Sequence, residues 1–184
     1  LFFAPVLPAC VSGCGVVDDR VNFDLSGPPT VYRDQWARRE APVVYVQPAE
    51  APDAPLTAVF IPFRVTQKIF DPDMVGYTQA RVVWQTWLNK RLFSILEFDA
   101  REPFRRDRAV ALARAKGADL AIGGFVTYYY AGGPDADSQV ALQVEIYDAA
   151  SGQLIWSMAQ SALMPARQVN DYIVFATETR GPSD

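Results

Sequence analysis

The stretch Leu56–Phe63, LTAVFIPF, is an almost unbroken apolar run, as a buried central strand is, with Pro62 close to its end. Asp71-Pro72-Asp73 then offers a helix start: proline suits the first turn, and the acids suit the positive end of the dipole. From Met74 to Ile95 the apolar residues Tyr77, Ala80, Trp84, Trp87, Leu88, Leu92 and Ile95 fall at helical spacing. That stripe predicts a helix packed on a sheet, and the pair Trp84 and Trp87 fits such packing better than a ligand site. Leu96–Asp99 reads as a second strand. Arg105–Lys116, rich in Ala, Leu and Arg, predicts a second helix that Gly117 caps. Asp119–Tyr130 is the next strand. Val140–Tyr147 alternates, with Val140, Leu142, Val144 and Ile146 on one side and Gln143 and Glu145 on the other. This is the pattern of a sheet covered on one face. Asp148–Gly152 has hairpin-turn chemistry, and Leu154–Leu163 returns as the partner strand. Asp171–Ala176 suits a final strand or a short helix, with the helix favoured. The order β-α-β-α-β-β-β predicts an α/β (α+β) fold: a mixed sheet of about five strands with two helices packed on one face.

Ahead of this domain, Gly15–Pro55 carries Pro28, Pro29, Pro42, Pro48, Pro52 and Pro55, which argues for an extended, partly ordered arm. Within it, Tyr32–Arg39 is compatible with a short helix and Val43–Val46 with a short strand. Trp36 beside Arg38 and Arg39 has two readings: contact with a partner or lipid headgroups, or pinning of the arm to its own domain, the more usual role of such a residue. No internal repeat is evident.

Hydrophobic residues make up 50% of the 184-residue chain and aromatics 12%, enough for a sizeable core and too much for a disordered chain. A net charge of -4, with both signs spread along the sequence, leaves no basic footprint for nucleic acid. Histidine is absent, which removes the commonest general base and metal ligand. Asp99, Glu102, Asp107 and Asp119 lie on separate elements, mostly beside Arg, and read as caps and surface pairs. Gly123-Gly124 lies inside a strand without a following Lys-Ser/Thr, so it reads as small residues for close helix–sheet packing and not as a phosphate loop. Asp135 and Asp137 lack the further carboxylates of a calcium loop and read as turn chemistry. The expectation is therefore no enzyme, no cofactor and no metal. In Tyr128-Tyr129-Tyr130, alternation puts Tyr128 and Tyr130 on one face and Tyr129 on the other. Exposed aromatics near a sheet rim anchor interfaces, against the alternative of edge-to-face packing over the sheet. Trp36, Tyr128 and Tyr130 are the candidate partner contacts.

The start of the chain carries a processing signal. Leu1–Val11, LFFAPVLPACV, is an apolar run of the length of a signal-peptide core, too short and too proline-broken to span a bilayer as a helix. Val11-Ser12-Gly13-Cys14 then resembles the bacterial lipobox, which implies cleavage before Cys14 and acylation of its thiol and amine. Leu7-Pro8-Ala9-Cys10 is a weaker competing site, and a Cys10–Cys14 disulfide or two inert thiols are the alternatives. Two or three acyl chains, at about 0.8 kcal/mol per buried methylene, give a lasting anchor. Gly15 after the cysteine implies, by the proteobacterial sorting rule, export to the outer membrane. The expected organisation is a signal-peptide remnant over 1–13, a lipidated cysteine and Pro-rich tether over 14–55, and one periplasmic domain over 56–184.

A further resemblance concerns the domain. Ala115-Lys116-Gly117-Ala118-Asp119 leads into Ala121-Ile122-Gly123-Gly124, and Tyr147-Asp148 runs through Ser151-Gly152 to Trp156. A helix ending in such a turn, a Gly-bearing strand and such a hairpin resemble a group of periplasmic domains. The group holds the amino-terminal domain of the Tol–Pal translocation protein, the penicillin-binding-protein activator lipoproteins and the curli-secretion lipoprotein. The resemblance covers roughly Leu56 to Leu163 and implies location and partner binding without catalysis; fold alone does not decide function. The expected function is a non-catalytic accessory or assembly factor for an envelope protein complex, anchored at the periplasmic face of the outer membrane. The alternative is a self-associating structural subunit, a homo-oligomer, of an envelope secretion or export assembly.

Overall fold

The computed structural model describes residues 21–22, 30–34, 36–47, 54–133, 136–171 and 175–180. Cys14, Cys10 and Asp135 lie outside the described residues. The elements begin with strands β1 (Val21–Asn22), β2 (Thr30–Asp34), β3 (Arg38–Arg39) and β4 (Val43–Val46). Next come β5 (Thr57–Phe60), β6 (Arg64–Val65), helix α1 (Pro72–Asn89), β7 (Ile95–Phe98) and helix α2 (Arg106–Ala115). The chain continues through β8 (Leu120–Tyr130), β9 (Ser138–Asp148), β10 (Leu154–Met164), β11 (Val169–Asp171) and β12 (Ala176–Arg180).

The mixed α+β character holds, with two helices, but the main sheet has eight strands and not five. Its order is β3-β10-β9-β8-β5-β7, with β4 also on β10 and β6 also on β8. β4 pairs with Trp156–Ala159 and β3 with Ala162 and Leu163, so the two lie end to end along one edge of β10. β5 and β6 share β8 in the same way. β7, β5, β6 and β8 run parallel, and β9, β10 and the β3/β4 edge continue antiparallel. The extra strands are β3 and β4 of the arm and β6, which follows the apolar run and rejoins β8 after a break at Ile61–Phe63 that holds Pro62.

The helices cover opposite faces of this sheet, which corrects the expectation of one shared face. Ala58, Phe60, Leu120 and Ile122 pack with Ala80, Val83, Trp84 and Trp87 of α1. Val59, Ile61 and Ala121 pack with Ala109, Val110 and Ala113 of α2. The cause is the path of the chain. From β5 it crosses outward to β7, then returns past β5 to β8, and two right-handed crossovers in opposite directions must use opposite faces. Hence β5 is apolar at successive positions: both its sides are covered. On the α1 side Phe60 is fully buried, and its ring meets those of Phe63, Trp87 and Phe98 at 5.7, 5.8 and 6.1 Å.

Asp71 caps α1, its carboxylate accepting from the Met74 amide, with Pro72 at the first position. The helix stops at Asn89, short of the predicted apolar stripe, and Arg91 takes a left-handed φ of 52°. Leu92 and Ile95 therefore leave the helix; Ile95 is needed in β7, opposite Thr57. Where β5 and β8 begin, Asp119 accepts from the Thr57 amide at 2.8 Å and its hydroxyl at 2.7 Å.

The arm differs most from expectation. The described residues of Tyr32–Arg39 form no helix: Thr30–Asp34 is strand, paired in parallel with β12 in a separate four-stranded sheet of order β1-β2-β12-β11. Thr30, Val31 and Tyr32 are residue types that favour extended backbone. Of the segment Asp171–Ala176, with its favoured helix, only the ends are described. β11 ends at Asp171 and β12 begins at Ala176, and residues 172–174 of that segment lie outside the described residues. The predicted strand Val43–Val46 is present, as an edge of the main sheet.

Candidate interaction surface

α1 lies over the parallel half of the sheet, and among the described residues no helix covers part of the antiparallel half. Along β9, Val144 and Ile146 face α1, as the alternation predicted. Directly paired residues of neighbouring strands share a face. The row Ile122, Ile146, Trp156, Val46 therefore runs across four strands on the α1 side, and beside it run Val144, Met158 and Val44. This apolar surface continues past Trp87 to the open edge. A hollow of about 210 Å³ marks the angle between helix and sheet, with Val82, Val83 and Trp87 on the helix side and Leu142, Met158 and Ala162 on the sheet side.

The edge itself is apolar. Val43, Val44, Tyr45 and Val46 are 74%, 48%, 54% and 60% exposed, although β10 takes up one side of their backbone. A sheet edge of this composition is a ready template for another strand. The opposite face of the same rows is polar: Tyr45, Ser157 and Glu145 lie side by side. Glu145 is buried, accepting from Tyr147 Oη and from Gln143 Nε2, each at 2.8 Å. Burial, and then the neighbouring Glu145, push the Tyr147 hydroxyl well above its ordinary value.

Trp36 is 75% exposed and so does not pin the arm. Tyr128 and Tyr130 are 41% and 50% exposed, whereas Tyr129 packs against the core and its amide bonds Gln67. A register shift between Val126 and Tyr128 separates this end of β8 from the regular ladder. Tyr130 and Ala37, the neighbour of Trp36, line one hollow of about 320 Å³, which Tyr128 does not line. The apolar face over β9, β10 and β4 escaped the sequence reading, although the run Val43–Val46 is its visible signal.

Of the acids read as caps and surface pairs, Asp107 stands in the first turn of α2 and Glu102 forms a surface pair, whereas Asp99 is buried and Asp119 bonds no arginine. Arg101 forks onto Asp99 and Lys116 also reaches it; Arg108 pairs with Glu102; Asp119 holds Thr57. Gly123 serves close packing: an added Cβ would stand 2.0 Å from the Phe104 ring. Among the described residues no group of three or more His, Cys, Asp or Glu stands ready to hold a metal. No described helix is long and apolar enough to cross a membrane.

Among solved structures the fold is that of the PelC dodecamer from Paraburkholderia phytofirmans, at 16% identity, 70% of this chain, 86% of that one and a TM-score of 0.53. Weaker likeness extends to the LpoB C-terminal domain from Escherichia coli, at 11% identity, 60% and 86% coverage and a TM-score of 0.42. It extends also to lipoprotein GNA1162 from Neisseria meningitidis, at 17%, 56% and 81%, and 0.31. The likeness to PelC agrees with the group to which the sequence resemblance pointed; at 16% identity it is one of fold. No family model and no curated protein matches the chain.

Proposed function

We propose that the chain is a non-catalytic accessory or assembly protein of the bacterial envelope, held by lipid on Cys14 at the periplasmic face of the outer membrane. It works by seating an envelope protein on the apolar sheet face that ends in Val44 and Val46. The observation that carries this is the uncovered apolar face and its open edge, in a fold of the lipoprotein group. The lipid raises the local concentration of that surface at the membrane. With histidine absent from the chain and Asp99, Glu102 and Asp119 engaged in fixed bonds, the surface is suited to binding and not to proton transfer.

The anchor is tested by feeding a clickable fatty acid to cells that make the full chain. Label is expected on the wild type and not on Cys14→Ser, and an unlabelled wild type sinks the proposal. The partner is tested with a photo-crosslinking residue at Val44, set against one at Arg81 on the outer side of α1. A discrete envelope-protein adduct at Val44 alone is expected; equal adducts at both positions exclude the face.

A second reading has its own support: a self-associating subunit of a secretion or export assembly. PelC is a dodecamer, and among the described residues this sheet has two open edges, β4 and β7, on opposite sides. Unlike edges that meet head to tail generate rings or filaments. Molar mass in detergent, by light scattering, separates a monomer from such an assembly.

A further inference from the structure

We infer that the crevice where β5 and β7 end is a binding site for the oxyanion, phosphate or carboxylate, of a small soluble molecule. In an open sheet with parallel strands, ligands lodge at the carboxyl ends of adjacent strands whose following loops depart to opposite faces. β5 and β7 are such a pair: they are adjacent and parallel, and they lead to helices on opposite faces. The two loops are sewn together there, because the Asp99 amide donates to Phe60 O at 2.9 Å and the Phe104 amide to Pro62 O at 2.8 Å. The crevice is therefore held open by fixed backbone.

Two hollows meet in it, of about 210 and 470 Å³, and share Glu102, Pro103, Arg105 and Arg108. Together they fall in the size range of ligand pockets, about 300–1,000 Å³. The smaller is floored by Ile61, Ala109 and Leu112 and walled by Asp99 and Arg101. The larger adds Arg64 and Asp73. The arginines are organised from behind. Buried Asp99 receives Nε and Nη2 of Arg101 at 2.9 and 2.7 Å, and Glu102 receives Arg108. Those two carboxylates are thereby satisfied. Among the described residues Arg64 and Arg105 have no ion pair, so uncompensated positive charge stands at the junction of the hollows, from Arg105, and in the larger one, from Arg64, with Asp73 the one lining acid left against it. Arg105 also precedes α2 in extended backbone and makes no side-chain cap, which leaves first-turn amides available to an acceptor. Guanidinium groups match the planar, two-oxygen geometry of carboxylate and phosphate.

The test titrates the purified full chain, in detergent at low ionic strength, with inorganic phosphate and separately with citrate, by calorimetry. Saturable one-site binding of at least one of them is expected. It is expected to weaken tenfold or more in Arg105→Gln and in Arg64→Gln, and to be unchanged in Arg81→Gln on α1. Melting temperatures of the variants, expected to match the wild type because both side chains are exposed, separate lost binding from lost fold. Heat that fails to saturate with either anion overturns the site, as does equal affinity in Arg105→Gln. Binding only to phosphatidylglycerol vesicles also overturns it, since the anion is then a lipid headgroup at a membrane surface.

Discussion

The indole of Trp87 on α1 meets that of Trp156 on β10 edge-on, with centroids 6.2 Å apart and planes at 75°. The contact joins the two halves of the sheet: one ring belongs to the crossover over the parallel strands, the other to the antiparallel hairpin. Such pairs contribute about 0.5–1.5 kcal/mol beyond the area they bury. In a double-mutant cycle, Trp87→Leu and Trp156→Leu are each expected to destabilise the fold. The double variant is expected to lose about 0.5–1.5 kcal/mol less than the sum of the singles. Additive losses in urea unfolding mean that the rings do not interact.

Gly123 lies under the Phe104 ring, where a Cβ would come within 2.0 Å of Cδ2. Phe104 is itself buried and packs edge-on against Phe125 and stacked with Tyr147, at 5.5 and 6.2 Å. It therefore has little room to yield. Gly123→Val is expected to cost about 1–3 kcal/mol, the usual penalty of overpacking. A compensating Phe104→Leu in the same chain is expected to return part of it. A melting temperature unchanged by Gly123→Val contradicts this packing.

Much of this core was written in local pattern. The alternation of β9, the double-sided burial of β5 and the turn at Asp148–Gly152 all follow from neighbouring residues, and each is present. What pattern could not convey is the partner of each element. Val43–Val46 is legible as a strand, but its place beside Trp156–Ala159 depends on residues more than a hundred positions away. The parallel pairing of Thr30–Asp34 with Ala176–Arg180 is more distant still. The faces taken by the two helices depend on the side of β5 to which the chain returns, a choice no periodicity encodes. The candidate surface was half legible for the same reason. Trp36, Tyr128 and Tyr130 are exposed as aromatics, while the apolar face exists only once β9, β10 and β4 are placed side by side.

Acid should weaken the fold through Asp99. The Arg101 side chain bonded to it, with Lys116 behind, holds this carboxyl well below the usual carboxylate range, although burial opposes the shift. A carboxyl more acidic in the folded chain than in the unfolded one stabilises at pH above its ordinary value, about 3.9. The contribution disappears as pH falls through the folded value. The stability lost in Asp99→Asn is thus expected to be full at pH 7, to begin shrinking below about pH 5, and to be small in strong acid. Because 70% of the Arg101 side chain is exposed, the loss at pH 7 is expected to be about 1 kcal/mol. Urea unfolding of both chains across that range decides it; a difference that does not change with pH removes the ion pair from the account.

The open edge gives the sharpest separation between folding and association. Val44 and Val46 are 48% and 60% exposed and lie on the α1 side of the sheet, beside Met158 and Trp156. Lysine is the residue with which natural sheets block such edges, because its charge cannot be buried against a second strand. Val44→Lys with Val46→Lys is therefore expected to change monomer stability by no more than about 0.5 kcal/mol per site, as exposed substitutions do. The same pair of changes is expected to abolish assembly into higher-mass species, or the crosslink to an envelope partner, whichever the wild type shows. Light scattering in detergent reads the first, and a photo-adduct from a probe at Val82, exposed on the helix side of the same face, reads the second. If both survive two lysines, contact is made elsewhere and the uncovered face is only a surface. If stability falls by several kcal/mol instead, β4 is held as part of the core and not as an edge kept open for another chain.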